Sequence, residues 1–475
     1  MREKLKKFII PSIVVLVLVN LGLSILISSN GSTLSLSWVE VVLSFSLLVS
    51  LSGLFWLSLN KIIKNGVISG ILSSLLVLTV CSAIKESWFL TILFVVLVLV
   101  LLGVRRRVSW NLIYKLLGPT LVILVVTQSV SLAQNPPRIS ETVSSVLSIT
   151  DNLTPGNSIY LIVLDEYPSQ DECIRQFGYD NQEFIDSLLS RGLVVEKNYY
   201  TSFPRTVLSI QSIISMDYYI PVLNGGAIFE SEGILGTLND FGYRSILVSS
   251  GWGGSRYIPN FNYTVQTPES LFSKFGDLVF YDSSSWWSQE YWYSTSKFQY
   301  QQLVESGSLG NRIFIFAHCL GTHSPYIFDK NGELPQSGLD KPSLVLGQLE
   351  YTNSKIIEFL DNINLETSIV IITSDHGPFT EEFTGVSEVS GIDFSKGNYS
   401  DFIKSRLSGF LAVNFPGVTN LSSEDLCQVN LFRTVSREYF GIESENLPSR
   451  HFFIEDWTSS IPSIFEITNI LEGNN

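Results

Sequence analysis

Ser368–Pro378 reads SIVIITSDHGP. The run is apolar and β-branched, with no charge until Asp375, where an aspartate, a histidine and a glycine follow in succession. Such a run fits a strand buried on both faces, which is the habit of a parallel sheet covered by helices. Two further runs stop in the same way. SIYLIVLDE, residues 158–166, ends in Asp165 and Glu166, and RIFIFAH, residues 312–318, ends in His318. YRSILVSS, residues 243–250, and GFLAVNF, residues 409–415, are strand-like as well. Between these runs the pattern is helical, over Gln182–Arg191, Ile228–Phe241, Leu344–Asn362 and Glu424–Phe440. Gly192, Gly242 and Gly441 stand at or just past three of the helix ends. Strands alternating with helices predict an α/β domain with a mostly parallel sheet and helices on both faces. In such sheets ligands bind beyond the carboxyl ends of the strands. Three strands ending in carboxylate or imidazole side chains are what a divalent cation needs there.

Composition divides the chain. Of its 30 basic and 44 acidic residues, 11 and 3 lie in residues 1–134, leaving 19 and 41 in the remainder. The basic part holds five apolar runs, Phe8–Ser28, Ser37–Leu59, Gly66–Ile84, Trp88–Val104 and Ile113–Leu132. Each approaches the ~20 helical residues that span a bilayer core. The charges orient them. MREKLKK precedes the first run, Lys61 and Lys64 follow the second, and Arg105–Arg107 with Lys115 follow the fourth. Positive loops stay in the cytoplasm, so five spans leave the N-terminus inside and everything past about residue 134 outside. Glu40 is the ionisable residue inside a span, near its outer end, which favours an anchor over a transporter. The expected layout is a transmembrane domain over 1–134, a linker over 135–157 and a catalytic domain over 158–475. The acidic outer part repels phosphate backbones, so nucleic acid is not an expected partner. Cys81 lies in a span, and Cys173, Cys319 and Cys427 have no staple-like spacing.

Two segments add chemistry. NYYTSFPRTVLSIQSIIS, residues 198–215, predicts a helix starting near Thr206. A helix N-terminus stabilises an anion, and a threonine hydroxyl there serves either as a cap or, beside a cation, as a nucleophile. FAHCLGTHSPY, residues 316–326, carries His318 and His323, two of the chain's 4 histidines. Arg205 and Arg406 are candidate phosphate clamps. Trp286, Trp287 and Trp292 crowd the segment 279–294, fit for stacking on a sugar, for a membrane interface, or for packing on the domain.

In order along the chain, IVLDE, RTVLSIQSIIS, HCLGTHSPY and TSDHG resemble the motifs of the alkaline phosphatase superfamily. Within it they are most similar to the membrane-anchored, sulfatase-like branch of lipoteichoic acid synthases and phosphoethanolamine transferases. The resemblance implies a single divalent metal held by Asp165, Thr206, Asp375 and His376, with Thr206 also the nucleophile. Glu166 competes with Asp165 for the acidic position. The resemblance gives His318 and His323 to the substrate side, binding the transferred group or a second metal, or protonating the leaving oxygen. Two departures stand out. The C/S-x-P-x-R context that matures to formylglycine in sulfatases is absent, since VLSI follows Thr206. No histidine follows TSDHG closely, so a second metal would need Glu381, Glu382 or His451. The implied activity is transfer of a phospho-linked group from a membrane lipid, or to a cell-envelope glycan, on the outer membrane face. A sulfatase-like hydrolase of phosphate or sulfate esters, and a non-catalytic membrane scaffold, are the alternatives.

Overall fold

A computed structural model of the chain describes residues 141–149, 156–218, 233–251, 255, 258, 260–266, 289–310, 312–378, 400–454 and 464–471. These belong to one compact unit, 140–268 together with 286–475. The five expected membrane spans lie outside the described residues. No helix of the described residues is long and apolar enough to cross a membrane.

The strands are β1 (Glu141–Val143), β2 (Ser158–Leu164), β3 (Val194–Glu196), β4 (Arg244–Val248), β5 (Tyr263–Val265), β6 (Ile313–Cys319), β7 (Ser368–Ser374), β8 (Leu411–Asn414), β9 (Phe452–Ile454) and β10 (Ile464–Glu466). The helices are α1 (Gln170–Phe177), α2 (Gln182–Ser190), α3 (Thr206–Ser215), α4 (Gly233–Asp240), α5 (Gln289–Ser306), α6 (Lys341–Asp361), α7 (Ser400–Leu407), α8 (Leu431–Phe440) and α9 (Thr468–Leu471). Eight strands form one sheet in the order β1-β5-β4-β6-β2-β7-β8-β3, and β9 and β10 form a separate antiparallel pair. From β1 to β7 every pairing is parallel. β8 alone runs against its neighbours β7 and β3.

The three strands singled out in the sequence are adjacent, in the order β6-β2-β7, and every residue of each is buried. Alternation sorts their side chains. Tyr160, Ile162 and Leu164 face the cluster that holds Trp292 and Tyr300 of α5 and Leu349 and Phe359 of α6. Ile159, Leu161, Val163, Phe314, Phe316, Ile369 and Ile371 face the other cluster, against Ile210 and Ile213 of α3, Leu238 of α4 and Phe432 of α8. Each large apolar side chain so buried contributes roughly 1.5–3 kcal/mol. Parity then decides where the site forms. Asp165, His318 and Asp375 continue the second set, and α3 lies on that face.

Several boundaries differ from expectation. The helix expected over Glu424–Phe440 begins only at Leu431. Asp425 and Ser422 hydrogen-bond each other's backbone N–H groups, a local turn that competes with helix. α6 starts three residues early because Asp340 caps it through the Ser343 N–H, with Pro342 in its first turn. Within the expected linker, Glu141–Val143 forms the edge strand β1 on Tyr263–Val265, and Val146 behind it is buried. Trp292 opens α5 and is buried in the domain, while Trp286 and Trp287 lie outside the described residues. Gly441 ends α8 in the left-handed region, at φ 64°, where a Cβ is disfavoured.

Candidate active site

The register builds the site. Leu164 pairs with Cys319 on one side and Ser374 on the other, so the next residues, Asp165 and Asp375, emerge side by side beyond the sheet. The Asp165 N–H donates to the Cys319 carbonyl at 2.9 Å, and the Thr322 hydroxyl donates to the Asp165 carbonyl. These bonds stitch the HCLGTH loop to the end of β2.

One oxygen of Asp375 is fixed and the other is not. Oδ1 accepts the backbone N–H groups of Glu166 at 3.0 Å and His376 at 2.8 Å. The His376 ring is fixed as well, with Nδ1 3.1 Å from the Gly377 carbonyl. A carbonyl only accepts, so Nδ1 carries the proton and Nε2 holds a lone pair. That lone pair lies 3.1 Å from Asp375 Oδ2, 3.9 Å from Asp165 Oδ1 and 3.2 Å from Thr206 Oγ1. Thr206 is the first residue of α3, so its hydroxyl stands at the helix start, where backbone N–H groups lack intrahelical partners. Gly377 is required by close approach: a Cβ there would sit 2.0 Å from the Ser405 carbonyl oxygen.

Asp165, Asp375 and His376 each offer a ligand atom within 4.8 Å of the others, and all three are buried. Asp165 Oδ1 and Asp375 Oδ2 are buried with no hydrogen-bond donor. Burial first, and then the Glu166 charge, hold the Asp165 carboxyl well above its usual range. Burial and then Asp165 do the same to Asp375. Two buried carboxyls and an imidazole nitrogen, turned toward one another, form a set that a cation would join. The donor set therefore fits a divalent metal.

The adjacent acids Asp165 and Glu166 stand in different surroundings. Glu166 stands at φ 56°, a left-handed position that costs energy for a side-chain-bearing residue. That turn aims its N–H at Asp375 and its carboxylate away, to Arg406 Nη1 at 2.7 Å. Burial would raise the Glu166 carboxyl, but the His323 and Arg406 charges more than offset it and leave it lowered. Arg406 also donates to the Gly377 carbonyl at 2.7 Å and from Nη2 to His376 Nε2 at 3.3 Å. Arg205 precedes Thr206 at the cap of α3, its guanidinium lowered to about 10 by burial and by Arg406.

The two histidines of FAHCLGTHSPY part company. His318 has no exposed surface, and burial lowers its imidazole to about 3. Its Nε2 is 3.6 Å from Asp165 Oδ2. His323 sits in the loop with 29% of its side chain exposed, 3.9 Å from Glu166 Oε1, and stacks against Trp292. His451 is not in the metal group. Its Nδ1 donates to the Thr201 carbonyl at 2.9 Å, and Glu381 and Glu382 lie outside the described residues. Sequence reasoning missed Ser255, whose hydroxyl is 2.6 Å from His318 Nδ1, and Gln299, which donates to the His318 carbonyl at 2.6 Å.

With this geometry in hand, the comparisons place the chain. The family model for sulfatases matches residues 158–420, more than half of the chain, and the chain belongs to that family. No curated protein matches it. Among solved structures it is similar to the C-terminal periplasmic domain of EcEptC from Escherichia coli in complex with Zn, at 12% identity and TM-score 0.43, covering 66% of this chain and 93% of that one. It is also similar to the lipoteichoic acid synthase LtaP from Listeria monocytogenes, at 14% identity and TM-score 0.39, covering 66% and 81%. A third is the C-terminal periplasmic domain of phosphoethanolamine transferase EptC from Campylobacter jejuni, at 15% identity and TM-score 0.39, covering 64% and 94%. The family match, not these superpositions, carries the assignment.

Proposed function

We propose that this chain is a membrane-anchored, metal-dependent transferase that moves a phospho-linked group of lipid-headgroup type through Thr206 on the outer membrane face. One observation carries the reading: the Thr206 hydroxyl, at a helix start, lies 3.2 Å from His376 Nε2 beside two buried carboxylate oxygens that no donor satisfies. The missing formylglycine context after Thr206 favours direct attack by threonine. The five apolar runs before residue 134 and their one-sided basic loops support the anchor and the orientation.

A divalent cation held by Asp165, Thr206, Asp375 and His376 would lower the pKa of the Thr206 hydroxyl and offset charge building on phosphoryl oxygens. The remaining work belongs to the chain. Thr206 Oγ1 loses its proton to solvent and bonds to phosphorus as the bond to the lipid alcohol breaks. The departing oxygen takes a proton from His323, the exposed member of the pair. The first N–H groups of α3 and Arg205 beside them face the phosphoryl oxygens. In the second half, an acceptor hydroxyl of a lipid or envelope glycan bonds to phosphorus as the bond to Thr206 Oγ1 breaks; its proton goes to His323 and Thr206 Oγ1 takes one back from solvent, which restores both residues. Arg406 is committed to Glu166 and to the Gly377 carbonyl, so its part is to hold Glu166 and His376 in place.

Mass spectrometry of Thr206 after incubation with membrane lipids tests the reading. A phospho-linked adduct on the Thr206 peptide is expected, with turnover lost in Thr206→Ala and partly kept in Thr206→Ser. Full turnover by Thr206→Ala would end it. A reporter fused after residue 135 should read outside, and one in the Arg105–Arg107 loop inside. Both on one side would remove the anchor from the proposal.

A further inference from the structure

His318 is gripped from both sides. Its Nδ1 lies 2.6 Å from the Ser255 hydroxyl, and that hydroxyl lies 2.7 Å from the hydroxyl of Ser250. Its Nε2 faces Asp165 Oδ2 at 3.6 Å and Asp375 Oδ2 at 4.0 Å. From α5, the Gln299 amide donates to the His318 carbonyl at 2.6 Å and to the Val248 carbonyl at 3.0 Å. It thereby ties the end of β6 to the end of β4, from which both serines come. Ser250, Ser255, Gln299 and His318 are all buried.

A neutral imidazole facing two carboxylates has one favourable proton arrangement. A lone pair on Nε2 would face carboxylate oxygens, so Nε2 carries the N–H and Nδ1 accepts. Ser255 is the hydroxyl in reach of Nδ1. Its own oxygen then accepts from Ser250, and the chain runs in one direction from Ser250 to the carboxylates.

We propose that Ser250 and Ser255 set the tautomer of His318, and that His318 so held is a positioning residue that aims the two metal-binding carboxylates at their cation. This rests on the metal site of the proposed function. It gives His318 a different part from the substrate-side roles expected in the sequence, for the ring has no exposed surface and its Nε2 is turned to carboxylates. Groups that orient metal ligands in this way typically contribute about 10–100-fold to metal affinity.

The test is metal binding by the full-length chain after stripping with a chelator. Mn2+ is followed by the spin-resonance signal of the free ion and Zn2+ by competition with a chromophoric chelator. Ser255→Ala should weaken binding of either ion about 10-fold, and His318→Ala by about 10–100-fold. The double variant Ser255→Ala/His318→Ala should bind no more weakly than His318→Ala, because the serine acts only through the ring. Wild-type affinity in Ser255→Ala would overturn the relay and leave the metal site standing. Additive losses would overturn it too, since the serine would then act elsewhere. If the wild-type chain binds neither ion, the metal site fails and the relay falls with it. Circular dichroism checks each fold. Should Ser255→Ala not fold, Ser250→Ala makes the same comparison one bond further out, with a smaller loss.

Discussion

Asp375 and Asp425 are both buried aspartates, and their surroundings treat them in opposite ways. Asp425 is saturated with donors. Ser422 donates to Oδ2 from its N–H at 2.9 Å and its hydroxyl at 2.7 Å, and Arg437 and Asn446 donate to Oδ1 at 2.7 and 2.8 Å. Asp375 has two backbone donors on Oδ1 and none on Oδ2, which faces Asp165 and His376 instead. Burial raises both carboxyls. At Asp425 the hydrogen bonds from Asn446, Ser422 and Arg437 more than reverse that, and at Asp375 the neighbouring Asp165 adds to it. The first arrangement is complete without any further group, and it ties the turn before α8 to the last turn of that helix and to the segment after it. The second leaves a buried oxygen turned to an imidazole nitrogen and a second carboxyl, a place that a cation would fill, and donor supply is what separates the two aspartates.

The largest effect expected from this contrast is at the donor-poor end. Asp375→Ala or His376→Ala should remove bound cation and all measurable turnover together, while circular dichroism stays as in the wild type. A bound cation organises such a site by its own charge, and losing one protein ligand is hard to compensate. Metal analysis of the purified variants checks this. A full equivalent retained by His376→Ala would break the comparison, because the lone pair at Nε2 would then have another purpose.

His323 sharpens the contrast from the rim. Glu166 and Arg406 there neutralise each other at 2.7 Å, so the rim needs no cation to be stable. His323→Ala should therefore keep its metal and lose about 10²–10⁴-fold in rate, the usual scale of general acid–base catalysis. The loss should be greater with a lipid substrate than with a nitrophenyl ester, whose leaving oxygen needs no proton. Loss of metal from His323→Ala would move this residue into the donor-poor group.

How far this contrast was readable before the fold was known depends on distance along the chain. The strand runs and their polar ends were legible because burial on both faces leaves a continuous apolar signal, broken only at His318 near the end of β6 and at Asp165 and Asp375 just past β2 and β7. The start of α3 at Thr206 was legible from Pro204 and the apolar run after it. α5 was not. Its inward face holds Thr295, Ser296, Gln299, Gln302 and Ser306, all buried, so polar residues mask the helical period. The direction of β8 was hidden as well, since an apolar run reads alike in a parallel or an antiparallel pairing. Pairings such as Glu166 with Arg406, 240 residues apart, and Ser255 with His318, 63 apart, exist only through the topology. The sequence therefore offered Asp165, Glu166 and Asp375 at the strand ends, but did not show which of them already had donors.

The smallest effect is at the donor-rich end. Asp425→Asn keeps one acceptor but turns an N–H toward existing donors and removes the charge facing Arg437. Arg437 has 35% of its side chain exposed, so water screens part of that attraction. A loss of about 1 kcal/mol is expected, which lowers Tm by about 1–2 °C in a domain of this size. Metal content and turnover should not change, because the clamp touches no residue of the site. Its pH dependence follows from the sign of the shift. The folded carboxyl is held below its ordinary value, so the charge contributes stability fully above the unfolded pKa of about 4. That contribution is lost as pH falls toward the folded value. The Tm gap between wild type and Asp425→Asn should thus be constant near neutrality and shrink steadily below about pH 4. A gap that stayed constant into acid would mean that the clamp holds by shape alone, and the two aspartates would then differ in less than their charge.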